Sequence, residues 1–287
     1  MLSVASQICW GLLPLYWKML AVYPIYEVYA HRILWSCVFS MILVVLTGRL
    51  DVSKTELKMV FSNPRKIAGV IGAAIFINSN WFLYIWAVNN NHMVEASLGF
   101  YIGPLISVLL ALLFLREHMM KLQFLAFFIA FLGVLNMIWQ LGQLPWISFC
   151  LASSFAFYGL IKKIIPLHAA TALWLETIIG SIEALIFIIY LHKTGNSHFN
   201  FDSGIGFLLI GTGVVTAIPL LLYAQSVYYL PLKVVGFIQY LSPSITLLLG
   251  VNLYHEAFTP AHWISFVFIW TGLIIFSWSQ IKTKTIA

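Results

Sequence analysis

Long apolar runs, separated by brief polar interruptions, repeat from one end of the chain to the other. A helix that crosses a bilayer needs about 20 mostly apolar residues. The pattern predicts spans near 3–20, 26–47, 67–87, 93–115, 122–140, 146–164, 169–191, 205–227, 233–254 and 261–280. Ten such spans take up about 200 residues and leave no room for a soluble domain. The longer polar segments, 47–66 and 192–204, are read as loops. Residues 2–20 share the apolar core of a signal peptide, but they carry Lys18 at the far end and no small-x-small cleavage pattern follows. They are read as the first span.

Composition agrees with the pattern. Of 287 residues, 62% are hydrophobic and only 8% charged, against roughly 25% charged in a soluble domain. The net charge of +6 forms no long basic patch with aromatics between, so no nucleic-acid partner is expected. Instead it reports topology, because Lys and Arg in short loops mark the cytoplasmic side. Arg49, Lys54, Lys58, Arg65 and Lys66 share one loop. Arg116 and Lys121, Lys162 and Lys163, and Lys282 and Lys284 lie on the same side, while the opposite loops hold Lys193. Both termini are therefore expected in the cytoplasm. Cys9, Cys37 and Cys150 sit singly in apolar stretches, which argues against a disulfide framework or a metal site.

The chain also repeats itself. One constant register lays Tyr84 on Tyr223, Tyr101 on Tyr240, Pro104 on Pro243, Glu117 on Glu256 and Gly133 on Gly272. A slightly different register pairs Lys18 with Lys163 and His31 with Glu176 near the start of each half. Five spans per half is an odd number, so the second copy must cross in the opposite sense. The expected fold is an all-α integral membrane protein of ten transmembrane helices, built as two inverted five-helix repeats at 1–143 and 144–287. Such repeats mark secondary transporters with a central site between the halves. A Pro inside a span frees a backbone carbonyl, which is tolerated only against protein or a water-filled cavity. Pro104 and Pro243 thus predict two kinked or broken helices facing each other near the midplane. Tyr101 and Tyr240, one turn earlier, are expected to offer hydroxyls to a shared cavity. Glu117 and Glu256 fall about 20 Å further along, where each serves as a gate, a tether or a solvated helix end.

The stretches "CWGLLPLYWKML" (9–20), "EVYAHRILWS" (27–36), "NWFLYIWAVNNNHMVEASLGFYIGPL" (80–105) and "LASSFAFYGLIKK" (151–163) resemble the RarD-type branch of the drug/metabolite transporter superfamily, in its EamA group. The resemblance covers essentially the whole chain. It implies two EamA-type repeats that move small solutes across the bacterial inner membrane, and relatives in the wider superfamily export amino acids and other metabolites. Gly103 departs from the family's pattern, which usually has Asn there.

Ionisable groups inside a span cost about 2.5–3.5 kcal/mol each on insertion scales, so each needs a partner or a purpose. Glu27, His31 and Arg32 lie in the second span, Glu27 and His31 being i,i+4 neighbours. Lys18 is near enough in sequence to meet Glu27 across a short loop. His31 and Arg32 are read as positive groups facing a carboxylate-bearing solute, and Lys18 and Glu27 as an ion pair near the outer surface or a coupling element. In the third span Asn78, Trp81 and Tyr84 are expected to line the site, with Tyr223, Gln239 and Tyr240 as second-half counterparts. Glu176, in the register position of His31, is the candidate to share a coupling proton with it. No HExxH or GxSxG pattern occurs, so no catalytic residue, metal or cofactor is expected. The partners expected are a small-molecule solute and the lipid bilayer. A secondary transporter is the leading reading, and a passive channel or facilitator is the alternative.

Overall fold

A computed structural model describes residues 1–90, 92–142, 145–200, 204–253 and 260–284. The apolar runs fold as helices because a bilayer core offers backbone N–H and C=O groups no partner, and a helix satisfies them within one segment. In chain order they are α1 (Leu2–Met19), α2 (Ile25–Leu46), α3 (Leu50–Phe61), α4 (Pro64–Asn89), α5 (Met93–Phe114), α6 (Lys121–Leu141), α7 (Trp146–Ile164), α8 (Ala169–Lys193), α9 (Gly204–Tyr229), α10 (Leu232–Gln239), α11 (Leu241–Leu253) and α12 (Pro260–Lys284). No strand occurs among the described residues.

Nine helical segments among the described residues are long and apolar enough to cross a membrane, α10 and α11 together forming one. α1 is not among the nine. Its Ser3, Ser6, Gln7 and Gly11 form a buried face, and Ser6 Oγ donates to the Pro219 carbonyl of α9 at 2.8 Å. Its polar groups therefore point into protein, which lowers its apolarity without exposing them to lipid.

The helices form one bundle. α2 packs on α8 and α9, α4 on α7 and α8, α1 on α9 and α11, α5 on α7 and α10, and α6 on α12. Polarity is reversed relative to a soluble protein. Ser36, Ser40, Ser107, Thr212 and Thr216 are fully buried, while Phe124, Phe128 and Leu135 of α6 and Ile182 and Ile186 of α8 are exposed. Without a hydrophobic drive between helices in lipid, small residues and interhelical hydrogen bonds carry association. At the crossing of α6 and α12, a Cβ on Gly133 would stand 2.8 Å from the Ser265 carbonyl oxygen. One on Gly272 would stand 2.7 Å from that of Ala126. Only glycine lets these backbones approach so closely.

Two features differ from the apolar pattern. The 47–66 segment, expected as loop, contains α3, whose Val60 packs with Leu167, Ala172 and Leu175. Pro104 leaves α5 continuous, whereas the corresponding span divides at Tyr240 into α10 and α11.

α3 is tied to the start of α8. Glu56 accepts the His168 backbone N–H at 2.7 Å, and Ser53 and Thr171 share a hydrogen bond of 2.8 Å. Burial and then the nearby Arg49 guanidinium hold the His168 imidazole below its ordinary value of 6.5, with Glu56 opposing them. The folded state thus favours neutral His168. Its contribution is fully present above the unfolded value and is lost as pH falls through the folded one. Protection of the α3 amides, taken relative to the intrinsic exchange rate at each pH, should be lower at about pH 5 than at about pH 7.5, and His168→Gln should flatten that difference. An α3 protection factor that ignores pH in this range would contradict the tether.

Candidate functional site

A cavity of about 260 Å³ lies between the two halves of the chain. One wall is a stripe on α1, where Gln7, Trp10, Pro14 and Trp17 follow each other at helical spacing. Arg32 of α2 and Asn80, Trp81 and Tyr84 of α4 form a second wall. α5 contributes Phe100, Tyr101, Gly103 and Pro104, α7 contributes Phe155, and the α10–α11 break contributes Gln239, Ser242 and Pro243.

Most of the polar groups here are engaged in holding helices. Asn80 Nδ2 donates to the Leu151 carbonyl at 2.8 Å and to Ser154 Oγ at 2.9 Å. Tyr101 donates to the Pro243 carbonyl at 3.3 Å, joining α5 to α11. Gln239 accepts from Ser107 and donates to the Tyr223 hydroxyl, both at 3.4 Å. Arg32 is different. Its guanidinium carbon lies 4.4 Å from the centre of the Trp81 ring and 5.2 Å from that of Trp17. Its Nε is buried with no hydrogen-bond partner, and no carboxylate among the described residues forms an ion pair with it.

Below Gln239, towards the end where α5, α7 and α9 finish and α8 and α10 begin, buried aromatic and charged side chains pack between the helices. Tyr158 and Tyr223 stack at 6.2 Å within the largest apolar cluster. Lys162 Nζ meets Glu176 Oε1 at 2.5 Å, and the Tyr158 hydroxyl donates to Glu176 Oε2 at 3.0 Å. Lys163 Nζ donates to the Val227 and Leu230 carbonyls at the end of α9. Glu117 accepts the first amides of α10, from Leu232 at 2.7 Å and Lys233 at 3.1 Å. A carboxylate there satisfies otherwise orphaned donors and complements the helix dipole.

Arg32, Trp81, Tyr84, Tyr101, Gln239, Pro104 and Pro243 meet on the cavity lining. Four other residues expected there do not. Tyr240 is 1% exposed and packs with Tyr101, Val134 of α6 and Ile269 of α12, on the side of the helix away from the cavity lining. Tyr223 lies one layer beneath, against Tyr158. Asn78 Nδ2 donates to the Ala74 and Glu176 carbonyls. His31 Nδ1 accepts from Trp35 Nε1 at 3.1 Å while its ring stacks on Phe199 at 4.7 Å. Glu27 is occupied by Ser197 and by the backbone and ring of His198, and Lys18 is exposed in the last turn of α1. Glu256 lies outside the described residues.

Two groups were not singled out from the sequence. The α1 stripe carries a visible signal, since 7, 10, 14 and 17 fall on one helical face. Lys162 carries a weaker one, lying one turn after Tyr158, and its partner Glu176 comes from another helix.

Comparison with known proteins follows the same lines. The description "EamA-like transporter family" matches residues 1–139 and 144–278. The chain is 42% identical over 282 residues to "Uncharacterized transporter YojE" of Bacillus subtilis (strain 168), covering 98% of this chain and 94% of that protein. It is 37% identical over 285 residues to "Protein RarD" of Escherichia coli (strain K12), covering 99% and 95%. A solved structure described as "Crystal structure of protein" shares the fold at a TM-score of 0.70 and 16% identity, over 96% of this chain and 95% of that one. The chain belongs to the EamA-like transporter family, alongside the RarD proteins, and is a multi-pass inner-membrane transporter of the drug/metabolite superfamily.

Proposed function

We propose that the chain is a secondary transporter that exports small metabolites, such as amino acids or drug-like solutes, by alternating access around the cavity. The observation that carries this reading is the asymmetry of the bundle. A cavity lined from both halves stops at a layer of buried polar pairs and packed aromatics. A carrier needs one such layer closed while the other side is open.

In this reading α1 is the tenth span and the halves are inverted repeats, with α3 an addition to the first. Helix neighbours support the repeat. Exchanging α1 with α7, α2 with α8, α4 with α9, α5 with α10–α11 and α6 with α12 maps one packed pair onto another. α1–α9 becomes α7–α4, α5–α7 becomes α11–α1, and α2–α8 and α6–α12 map onto themselves. The sealed end carries Lys162, Lys163 and the base of α3, and the positive-inside bias supports a cytoplasmic position for it and for both termini. The cavity then belongs to an outward-facing state. Glu176 is better placed than His31 to carry a coupling proton, because its ion pair is part of the seal. Export as the direction rests on the resemblance to the superfamily.

The test is counterflow in proteoliposomes with labelled amino acids and small aromatic solutes, with and without a pH gradient. Saturable exchange is expected, reduced at least about tenfold by Trp81→Ala or Gln239→Ala, the loss expected when a site loses a contact worth roughly 1.4 kcal/mol. Non-saturating leak through folded protein would instead establish the channel.

A further inference from the structure

We infer that the cavity selects small organic anions with a flat, apolar body, the carboxylate held by Arg32 and the body lying against the indole rings. This inference rests on the cavity being the transport site. Among the described residues that line it, Arg32 carries the only charged side chain. An arginine inside a span is costly and is retained with a partner or a purpose, and the described residues supply no carboxylate to pair with it. The rings of Trp17 and Trp81 stabilise the charge from the side, but an aromatic face leaves the in-plane N–H donors unsatisfied. That fork of donors matches the two oxygens of a carboxylate.

A second, independent group points the same way. Gln7 is 2% exposed, lines the cavity, and its Nε2 has no hydrogen-bond partner. Two lining atoms are thus buried and unpartnered, Gln7 Nε2 and Arg32 Nε, and both are donors. The neighbouring amides of Asn80 and Gln239 are already committed to Leu151, Ser154, Ser107 and Tyr223. The cavity therefore offers donors and a cation, flanked by Trp10, Trp17, Trp81 and Phe155. An ammonium group entering it meets no acidic side chain among the described residues. The volume of about 260 Å³ lies below the roughly 300–1,000 Å³ of pockets that take drug-sized ligands, which favours a metabolite over a bulky antibiotic.

The experiment is a tryptophan-fluorescence titration of purified full-length protein with 3-phenylpropanoate, its amide, 3-phenylpropylamine and phenylalanine, followed by counterflow of the same compounds. The wild type should bind the acid at least about tenfold more tightly than each of the others, the difference expected for one charge-assisted contact. Arg32→Lys should weaken the acid and keep its preference over the amide. Arg32→Gln and Gln7→Leu should narrow the gap, Arg32→Gln to nothing. Equal binding of acid and amide by wild type overturns the inference without needing any variant, and so does binding of the amine or phenylalanine as tight as the acid. No binding of the acid at all has the same meaning. Acid-selective binding without counterflow would leave the anion site standing and remove the carrier. Counterflow without acid preference would do the reverse.

Discussion

Replacing Gly213 with valine is expected to abolish recovery of monodisperse folded protein, and Gly213→Ala to lower the melting temperature clearly without abolishing it. Gly213 sits where α9 crosses α2. A Cβ there would lie 2.6 Å from the Ser36 amide nitrogen and closer still to Trp35. These obstacles are mostly backbone, which no rotamer change can clear. Ser36 Oγ donates to the Gly213 carbonyl at 3.2 Å in the same contact, so separating the helices also strands a buried donor. Overpacking typically costs about 1–3 kcal/mol and sometimes more, and a lost buried hydrogen bond adds about 1–3 kcal/mol. Valine combines both losses at a crossing shared by the two halves. The measurement is size-exclusion recovery and thermal melting in detergent. Wild-type behaviour of Gly213→Val would mean that α2 and α9 are not held at this spacing.

Much of the fold could be read from the chain because lipid imposes a simple rule. A span must be helical and about 20 residues long, so apolar run length alone locates α2 and α4 to α9 to within a few residues. α3 escaped because its apolar positions, such as Val60, are spaced for one helical face in a segment otherwise rich in charge. The two passages with Tyr three residues before Pro are alike in sequence, yet one helix runs through its proline and the other divides beside it. Local sequence could not separate them. At the site, residues whose side chains face along a helix stripe were legible: Arg32, Trp81 and Tyr84 all reach the cavity. Tyr240 was not, because it packs against α6 and α12, and which neighbours meet a given helix face is set by tertiary packing that periodicity alone does not encode. Lys162 was hidden for a different reason. A lysine in the last turn of a span reads as a topology signal, and only tertiary packing of α7 on α8 makes it the partner of Glu176.

Glu176→Gln should be among the most damaging single substitutions in the bundle, and pairing it with a change at Lys162 should undo much of the damage. Glu176 is 3% exposed and Lys162 8%, and their atoms meet at 2.5 Å. Removing the carboxylate charge leaves the ammonium buried and unpaired, which costs about 3–5 kcal/mol. Lys162→Met should cost less, since Glu176 keeps the Tyr158 hydroxyl as a donor. Replacing both with apolar residues of similar volume, Lys162→Met with Glu176→Leu, is expected to restore melting to near or above wild type, because a buried pair often does no better than good packing. A pair that adds little to stability suggests a role in a transition. Under alternating access the layer formed by Lys162, Glu176 and Tyr158 must separate when the sealed end opens. An apolar layer there would favour the sealed state over a hydrated one. The double variant should therefore melt like wild type yet lose counterflow at least about tenfold, the effect of biasing a two-state equilibrium by roughly 1.4 kcal/mol. Unchanged counterflow in that stable double variant would make the ion pair a packing feature and move the search for the gate at the sealed end to Glu117 and the start of α10.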